Sequence, residues 1–174
     1  MLYQQLSQHS DWQPESLEGK NQIPHSILPW LQEQGSLTAA LIKLSNDNFK
    51  VIVKSEATIN AYPHEQQKLK INRDQTSLIR EVELHVYDRA VVFARSVIPL
   101  ALTNQQEGSL DNLGTKPLGH LLFKEGRPRS SKREFAHLYY NDEPIYARRT
   151  PYEYQGHHVL VSEFFLPSFL LFIE

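Results

Sequence analysis

The chain has no cysteine among its 174 residues. Disulfides, thiolate metal sites and a cysteine nucleophile are therefore excluded, and the absence fits a reducing cytoplasm, the expected location. Long apolar runs are missing too. A transmembrane helix needs about 18 or more apolar residues in a row; the C-terminal "FFLPSFLLFIE" falls short of that and is interrupted by Pro167. The N-terminus, "MLYQQLSQHSDWQPE", has neither the basic start nor the apolar stretch of a signal peptide. No charge of one sign dominates: 18 Lys and Arg stand against 20 Asp and Glu, for a net charge of −2. Nothing global therefore points to nucleic acid or an anionic membrane. No Gly-rich phosphate loop, GxSxG elbow or HExxH motif occurs. The 8 histidines do not make up for these absences. His157 and His158 are adjacent, so on a strand they face opposite ways, while His85, His120 and His137 are isolated. No metal and no cofactor is expected.

What remains is a chain with 40% hydrophobic residues, enough for one domain with its own core. Residues 1–20 are polar and weakly patterned and read as a peripheral arm. "SILPWLQEQG" (26–35) reads as a short helix ending at Gly35. Two β-rich runs, 37–44 and 49–55, flank "SNDN" and read as a hairpin. "AYPHEQQKLKINRDQT" reads as a loop with a helical turn. The strongest hairpin joins 77–86 to 90–98 through Tyr87-Asp88-Arg89. Pro117 opens a short helix over 117–123. "KEGRPRSSKR", with Lys124, Arg127, Arg129, Lys132 and Arg133, reads as a solvated basic loop rather than a nucleic-acid contact. "REFAHLYY" is a strand, and a last hairpin turns at Gln155-Gly156. The expected fold is α+β: an antiparallel sheet of about six strands, short helices on one side, and flaps closing an internal pocket.

Strand phase raises a question of chemistry. Side chains alternate between faces along a strand. Leu78, Arg80, Val82, Leu84 and Val86 share one face, apolar except for Arg80. Val159, Val161, Glu163 and Phe165 share another, apolar except for Glu163. Val91, Phe93, Arg95 and Val97 repeat the pattern with Arg95. A buried carboxylate is costly unless paired or hydrogen-bonded. One reading is a self-satisfied Arg–Glu pair in the core. The other is a closed pocket in which arginine, whose planar fork binds carboxylates bidentately, awaits an anionic ligand. Arg148 and Arg149 in "YARRTPYEY" face opposite ways, so one of them is a candidate to point inward.

Ordered blocks carry a family resemblance: "SLT" (36–38), "LIREVEL" (78–84), "ARSVIP" (94–99), "LGTKPLGHLLF" (113–123), "REF" (133–135), "YARRT" (146–150) and "VSEFFLP" (161–167). Over roughly residues 25–170 the chain resembles the chorismate pyruvate-lyases, which open bacterial ubiquinone synthesis. The resemblance implies a carbon–oxygen lyase that converts chorismate to 4-hydroxybenzoate and pyruvate without metal or cofactor. It implies a single domain acting on a small-molecule substrate; the domain is expected to span 1–174, as a monomer with no nucleic-acid partner and no stable membrane insertion. It assigns product binding to Arg80, Glu163, Leu37 and Leu118. In the mechanism expected from it, backbone N–H groups at Leu37 and Leu118, beside lid segments, help Arg80 bind the ring carboxylate, and Arg80 and Glu163 are catalytic, with Glu163 either a base or only a hydrogen-bond acceptor. Arg95 is the candidate for the enolpyruvyl carboxylate, or else an ion-pair partner of Glu163. The competing function is a non-catalytic sensing or carrier domain of the same fold that binds an aromatic acid. Such domains in transcription regulators normally follow a winged helix, which residues 1–25 are too few to form.

Overall fold

Three two-residue turns organise the sheet. Tyr87-Asp88, Asn141-Asp142 and Gln155-Gly156 all have positive φ at both positions, between 47° and 76°. Such turns match the right-handed twist of the strands they join. They create the pairs β2 (Thr76–Val86) with β3 (Arg89–Pro99), β4 (Glu134–Tyr140) with β5 (Glu143–Tyr154), and β5 with β6 (His157–Phe165). With β1 (Phe49–Asn60), the computed structural model has one open sheet of six strands in the order β1-β2-β3-β6-β5-β4, every pair antiparallel. The structure describes residues 2–14, 23–104 and 108–174.

Six short α-helices accompany the sheet among the described residues: α1 (Leu2–Gln8), α2 (Leu28–Gln32), α3 (Leu37–Leu44), α4 (Pro63–Leu69), α5 (Leu118–Leu122) and α6 (Pro167–Leu170). The segment 37–44, expected as a strand, is α3. Ser36 Oγ accepts the Ala39 N–H at 3.2 Å and caps it, while Leu37, Leu41 and Leu44 recur at helical spacing around two alanines. The expected helix over 26–35 is confined to α2.

Helices cover both faces, not one. On what we term the front face, α2, α3 and α6 share a core with Val51, Val82, Leu84, Val92, Ala94 and Phe165. Leu118, Leu121 and Leu122 of α5 join the neighbouring cluster with Leu78, Val159 and Val161. On the back, Leu6 of α1 and the buried Trp12 pack with Phe93, Ala147 and Phe164, and Tyr3 stacks on Phe93 at 4.2 Å. The start of the chain is therefore not a peripheral arm where it is described. Gln13 also exchanges backbone hydrogen bonds with Phe135 at 2.8 Å in each direction. Residues 15–20 of the expected arm lie outside the described residues. Back-face cover follows from composition: β3, β5 and β6 are buried on both faces, so each face needs a partner layer.

Candidate active site

Register places the singled-out residues. Directly opposed residues in an antiparallel pair share a face. Arg80 opposes Ser96, which opposes Val161; Val82 opposes Ala94, which opposes Glu163; Glu163 opposes Arg148. Arg80 and Glu163 therefore lie on the front face, two strands apart and offset by two residues. Strand spacing puts their Cα atoms roughly 12 Å apart. Both line a cavity with Leu37 and Leu118, and with Ser36, Thr38, Ser96 and Tyr152. The cavity's volume, measured as space open to the centre of a water molecule, is about 60 Å³. By that measure one water needs about 10–15 Å³, so the cavity is narrow.

Two helix starts form its roof. Leu37 is the first residue of α3 and Leu118 the first of α5. The amides of a first helical turn have no carbonyl one turn earlier to bond. Gly119 explains how closely the two starts approach: a Cβ there would lie 3.2 Å from Thr38 Oγ1 and 3.5 Å from Ser36 Oγ.

Arg80 and Glu163 do not pair with each other. Arg80 is 3% exposed. Its Nη1 donates to Glu56 Oε2 at 2.6 Å, and its Nη2 to the carbonyls of Gly114 at 2.6 Å and Lys116 at 3.3 Å, on the segment leading into α5. Glu163 Oε2 accepts from Arg148 Nε at 2.5 Å. Arg148 is wholly buried, and its Nη1 also donates to the carbonyls of Trp30 and Glu33 at 2.7 and 2.8 Å. Beside it Arg133 donates to Thr150 Oγ1, Tyr152 Oη and the carbonyls of Leu31 and Glu33. Two arginines thus hold the carbonyl end of α2, where cations are favoured. Burial, and then the Arg148 charge, lower the Arg133 pKa. Arg133 is therefore part of the core and not of the solvated loop to which the sequence reading assigned it. Its signal was the "REF" block, which places it directly before a strand.

Arg95 is on the other face. It neighbours Ser96 in sequence, so it points away from Arg80. Its Nε and Nη2 donate to Glu65 at 2.7 and 3.0 Å and its Nη1 to Glu81 at 2.8 Å, with the Tyr62 ring stacked on its guanidinium. Burial alone would lower its pKa; the two carboxylates outweigh burial and raise it. The expectation that Arg95 holds a ligand carboxylate, or pairs with Glu163, is thus overturned by strand phase. Of the "YARRT" pair, Arg148 faces front and Arg149 back, where it meets Glu134 at 2.6 Å and the Trp12 ring.

Fold and cavity together define an α+β protein with a cavity, lined by one arginine and one glutamate, beneath two helix starts. The chain belongs to the chorismate lyase family, whose pattern it matches over residues 6–172. A relative from Methylococcus capsulatus named "Probable chorismate pyruvate-lyase" is 34% identical over 155 residues, covering 81% of this chain and 94% of its own. Relatives of the same name from Pseudomonas putida and Pseudoalteromonas atlantica are each 36% identical, covering 80% and 88% of this chain and 80% and 86% of their own. Among solved structures, a GntR-family transcriptional regulator from Enterococcus faecalis superposes with a TM-score of 0.51 at 15% identity, over 68% of this chain and 94% of its own. One from Bacillus cereus gives 0.51 at 8%, over 70% and 93%. At such identities the likeness concerns the fold alone.

Proposed function

We propose that this protein is a cytoplasmic, monomeric chorismate pyruvate-lyase whose product, 4-hydroxybenzoate, enters ubiquinone synthesis. The observation that carries the reading is the shared cavity: within a chain of this family, Arg80, Glu163 and the starts of α3 and α5 line one narrow space. Chorismate carries a ring carboxylate, an enolpyruvyl ether at ring carbon 3 and a hydroxyl at carbon 4. The reaction breaks the carbon-3 ether bond and removes the carbon-4 hydrogen. The ring becomes aromatic, the ether oxygen leaves as enolpyruvate, and a hydrogen adds to its methylene to give pyruvate. Aromatisation drives the step, so the protein's work is positioning and charge stabilisation.

In this reading Arg80 and the first amides of α3 and α5 bind the ring carboxylate. Glu163, held at Oε2 by Arg148, offers its other oxygen to the carbon-4 hydroxyl. Arg148 fixes the orientation of this carboxylate, which suits it to accept that hydrogen bond. Leu37 and Leu118 sit on flaps that close the cavity, and flap opening limits turnover. The test is to incubate purified protein with chorismate and follow 4-hydroxybenzoate by absorbance. Stoichiometric 4-hydroxybenzoate and pyruvate, undiminished in excess EDTA, support the lyase. Binding of 4-hydroxybenzoate without turnover supports the sensing domain instead, and activity lost on chelation and restored by a divalent ion overturns the cofactor-free reaction.

A further inference from the structure

Arg80, the proposed anchor for the ring carboxylate, already holds a carboxylate. Glu56 reaches it at 2.6 Å from the edge strand β1. That contact is built by a β-bulge. Val53 opposes Val82, but the register then slips by one, so that Ser55 opposes Glu81 and Glu56 opposes Arg80. Without the slip Ser55 would oppose Arg80 and Glu56 would project from the back face. Bulges characteristically re-aim a side chain in this way. Glu56 is partly exposed while Arg80 is buried, so Glu56 can swing into solvent and the arginine cannot follow it.

Three of the five N–H groups of Arg80 are engaged. Nη1 serves Glu56, and Nη2 serves the carbonyls of Gly114 and Lys116. A ligand carboxylate binding bidentately needs two adjacent N–H groups on one edge of the guanidinium. Either edge includes Nη2, and one edge also includes Nη1, so binding displaces bonds already made. The displaced carbonyls are neutral. Glu56 is a like charge beside the incoming carboxylate.

We propose that Glu56 is an affinity-setting residue: its carboxylate competes with the ligand's carboxylate for Arg80 and so promotes product release. This rests on reading the cavity as a chorismate lyase site. Replacing the charge by an amide of the same shape removes the competitor and keeps the strand.

The test is calorimetric titration of 4-hydroxybenzoate into the wild-type protein and Glu56→Gln, with the product dissociation rate followed by stopped flow. Glu56→Gln is expected to bind roughly tenfold more tightly, the order of effect of one like charge about 6 Å away at a dielectric between water and protein interior, with the gain appearing as slower dissociation. Glu56→Ala, at the same partly exposed position, is the second variant should Gln fail to fold, and tighter binding is expected there too. Unchanged or weaker binding in the folded variants overturns the proposal and makes Glu56 an orienting partner of Arg80. Wild-type protein that neither binds 4-hydroxybenzoate nor converts chorismate overturns the functional reading and this inference together. Wild-type conversion with no gain in the variants overturns this inference alone.

Discussion

On the back face of the sheet, Arg95, Arg149 and Lys68 meet Glu65, Glu81 and Glu134. Three cations face three anions, and α1 and α4 close over them. On the front face, the carboxylates that Arg80, Arg133 and Arg148 meet among the described residues are Glu56 and Glu163; further donors go to backbone carbonyls and to the hydroxyls of Thr150 and Tyr152, and Arg148 Nη2 has no hydrogen-bond partner. Three cations face two anions beside a cavity. The residue types are the same and the faces are one sheet thick, so the presence of buried arginine does not mark the site. What differs is the charge balance: the face that carries the cavity has one cation in excess, Arg133, and that excess holds the end of α2 instead of a carboxylate.

The comparison is broken hardest at Arg148. Arg148→Met leaves Glu163 buried without its cation and frees the carbonyls at the end of α2. Removing one partner of a buried pair costs about 3–5 kcal/mol. A urea midpoint lowered accordingly is the expected result, and Arg148→Met with Glu163→Leu should recover part of the loss because no lone charge remains. A single variant as stable as wild type would show that the pair is not what holds α2 to the sheet.

Next in size is a contrast between the faces. Arg80→Ala should weaken 4-hydroxybenzoate binding by about 2–4 kcal/mol, the scale of removing one partner of a buried charge pair. Arg95→Met should do the reverse. It leaves Glu65 and Glu81 without their cation and lowers stability, while product affinity of the folded protein, read by calorimetry, stays near wild type. If Arg95→Met weakened binding as much as Arg80→Ala, the two faces would not be separable.

Glu163→Gln comes third. It keeps the shape and an acceptor oxygen but removes the charge. If Glu163 orients the carbon-4 hydroxyl, single-turnover rate should fall about tenfold or less, comparable to one neutral hydrogen bond; a general base would cost roughly 10²–10⁴. Single-turnover measurement is needed because slow product release hides a chemical defect.

Much of this was legible in the chain, for identifiable reasons. Arg80 and Glu163 sit among residues whose alternation is clear, so their face could be read directly. The turns Tyr87-Asp88 and Gln155-Gly156 were found where apolar runs break. Arg95 was misread because β3 is a central strand buried on both faces; its alternation separates two apolar faces and says nothing of which is the cavity's. Segment 37–44 was misread because a short run of Leu, Ala and Ile fits both periods, and only the Ser36 cap decides. Glu56 was invisible because a bulge at residues 53–55 changes the phase after the apolar run ends. Arg133 was assigned to a solvated loop, and of Arg148 and Arg149 alternation says only that one points inward, because the carbonyls that Arg133 and Arg148 hold come from the end of α2, more than a hundred residues away.

The smallest expected effect belongs to the back face. His64, on α4, has Nδ1 2.9 Å from Arg149 Nη1 and Nε2 3.0 Å from the Ser7 carbonyl. Arginine can only donate, so Nδ1 accepts; the proton then sits on Nε2, which donates to α1. The contact works only with neutral imidazole. Burial lowers the His64 pKa, the charges of Arg149 and Arg95 add to this, and the Ser7 carbonyl and Glu65 oppose it. Tyr62 stacks on the ring, and Glu134 meets both Arg149 and Lys68 nearby. A histidine whose folded pKa lies below its unfolded value of about 6.5 favours folding fully above that pH. As pH falls below it, the unfolded chain takes up the proton first, and stability declines until the folded pKa is reached. Denaturation midpoints measured from pH 8 to pH 5 should therefore fall more steeply for wild type than for His64→Gln, whose amide makes both contacts without titrating. The difference between the two curves isolates His64 from the other carboxylates and histidines. Parallel curves would mean that the contact between His64 and Arg149 carries no proton linkage. Because the histidine lies on the matched face, the 4-hydroxybenzoate affinities of the two folded proteins should agree at each pH.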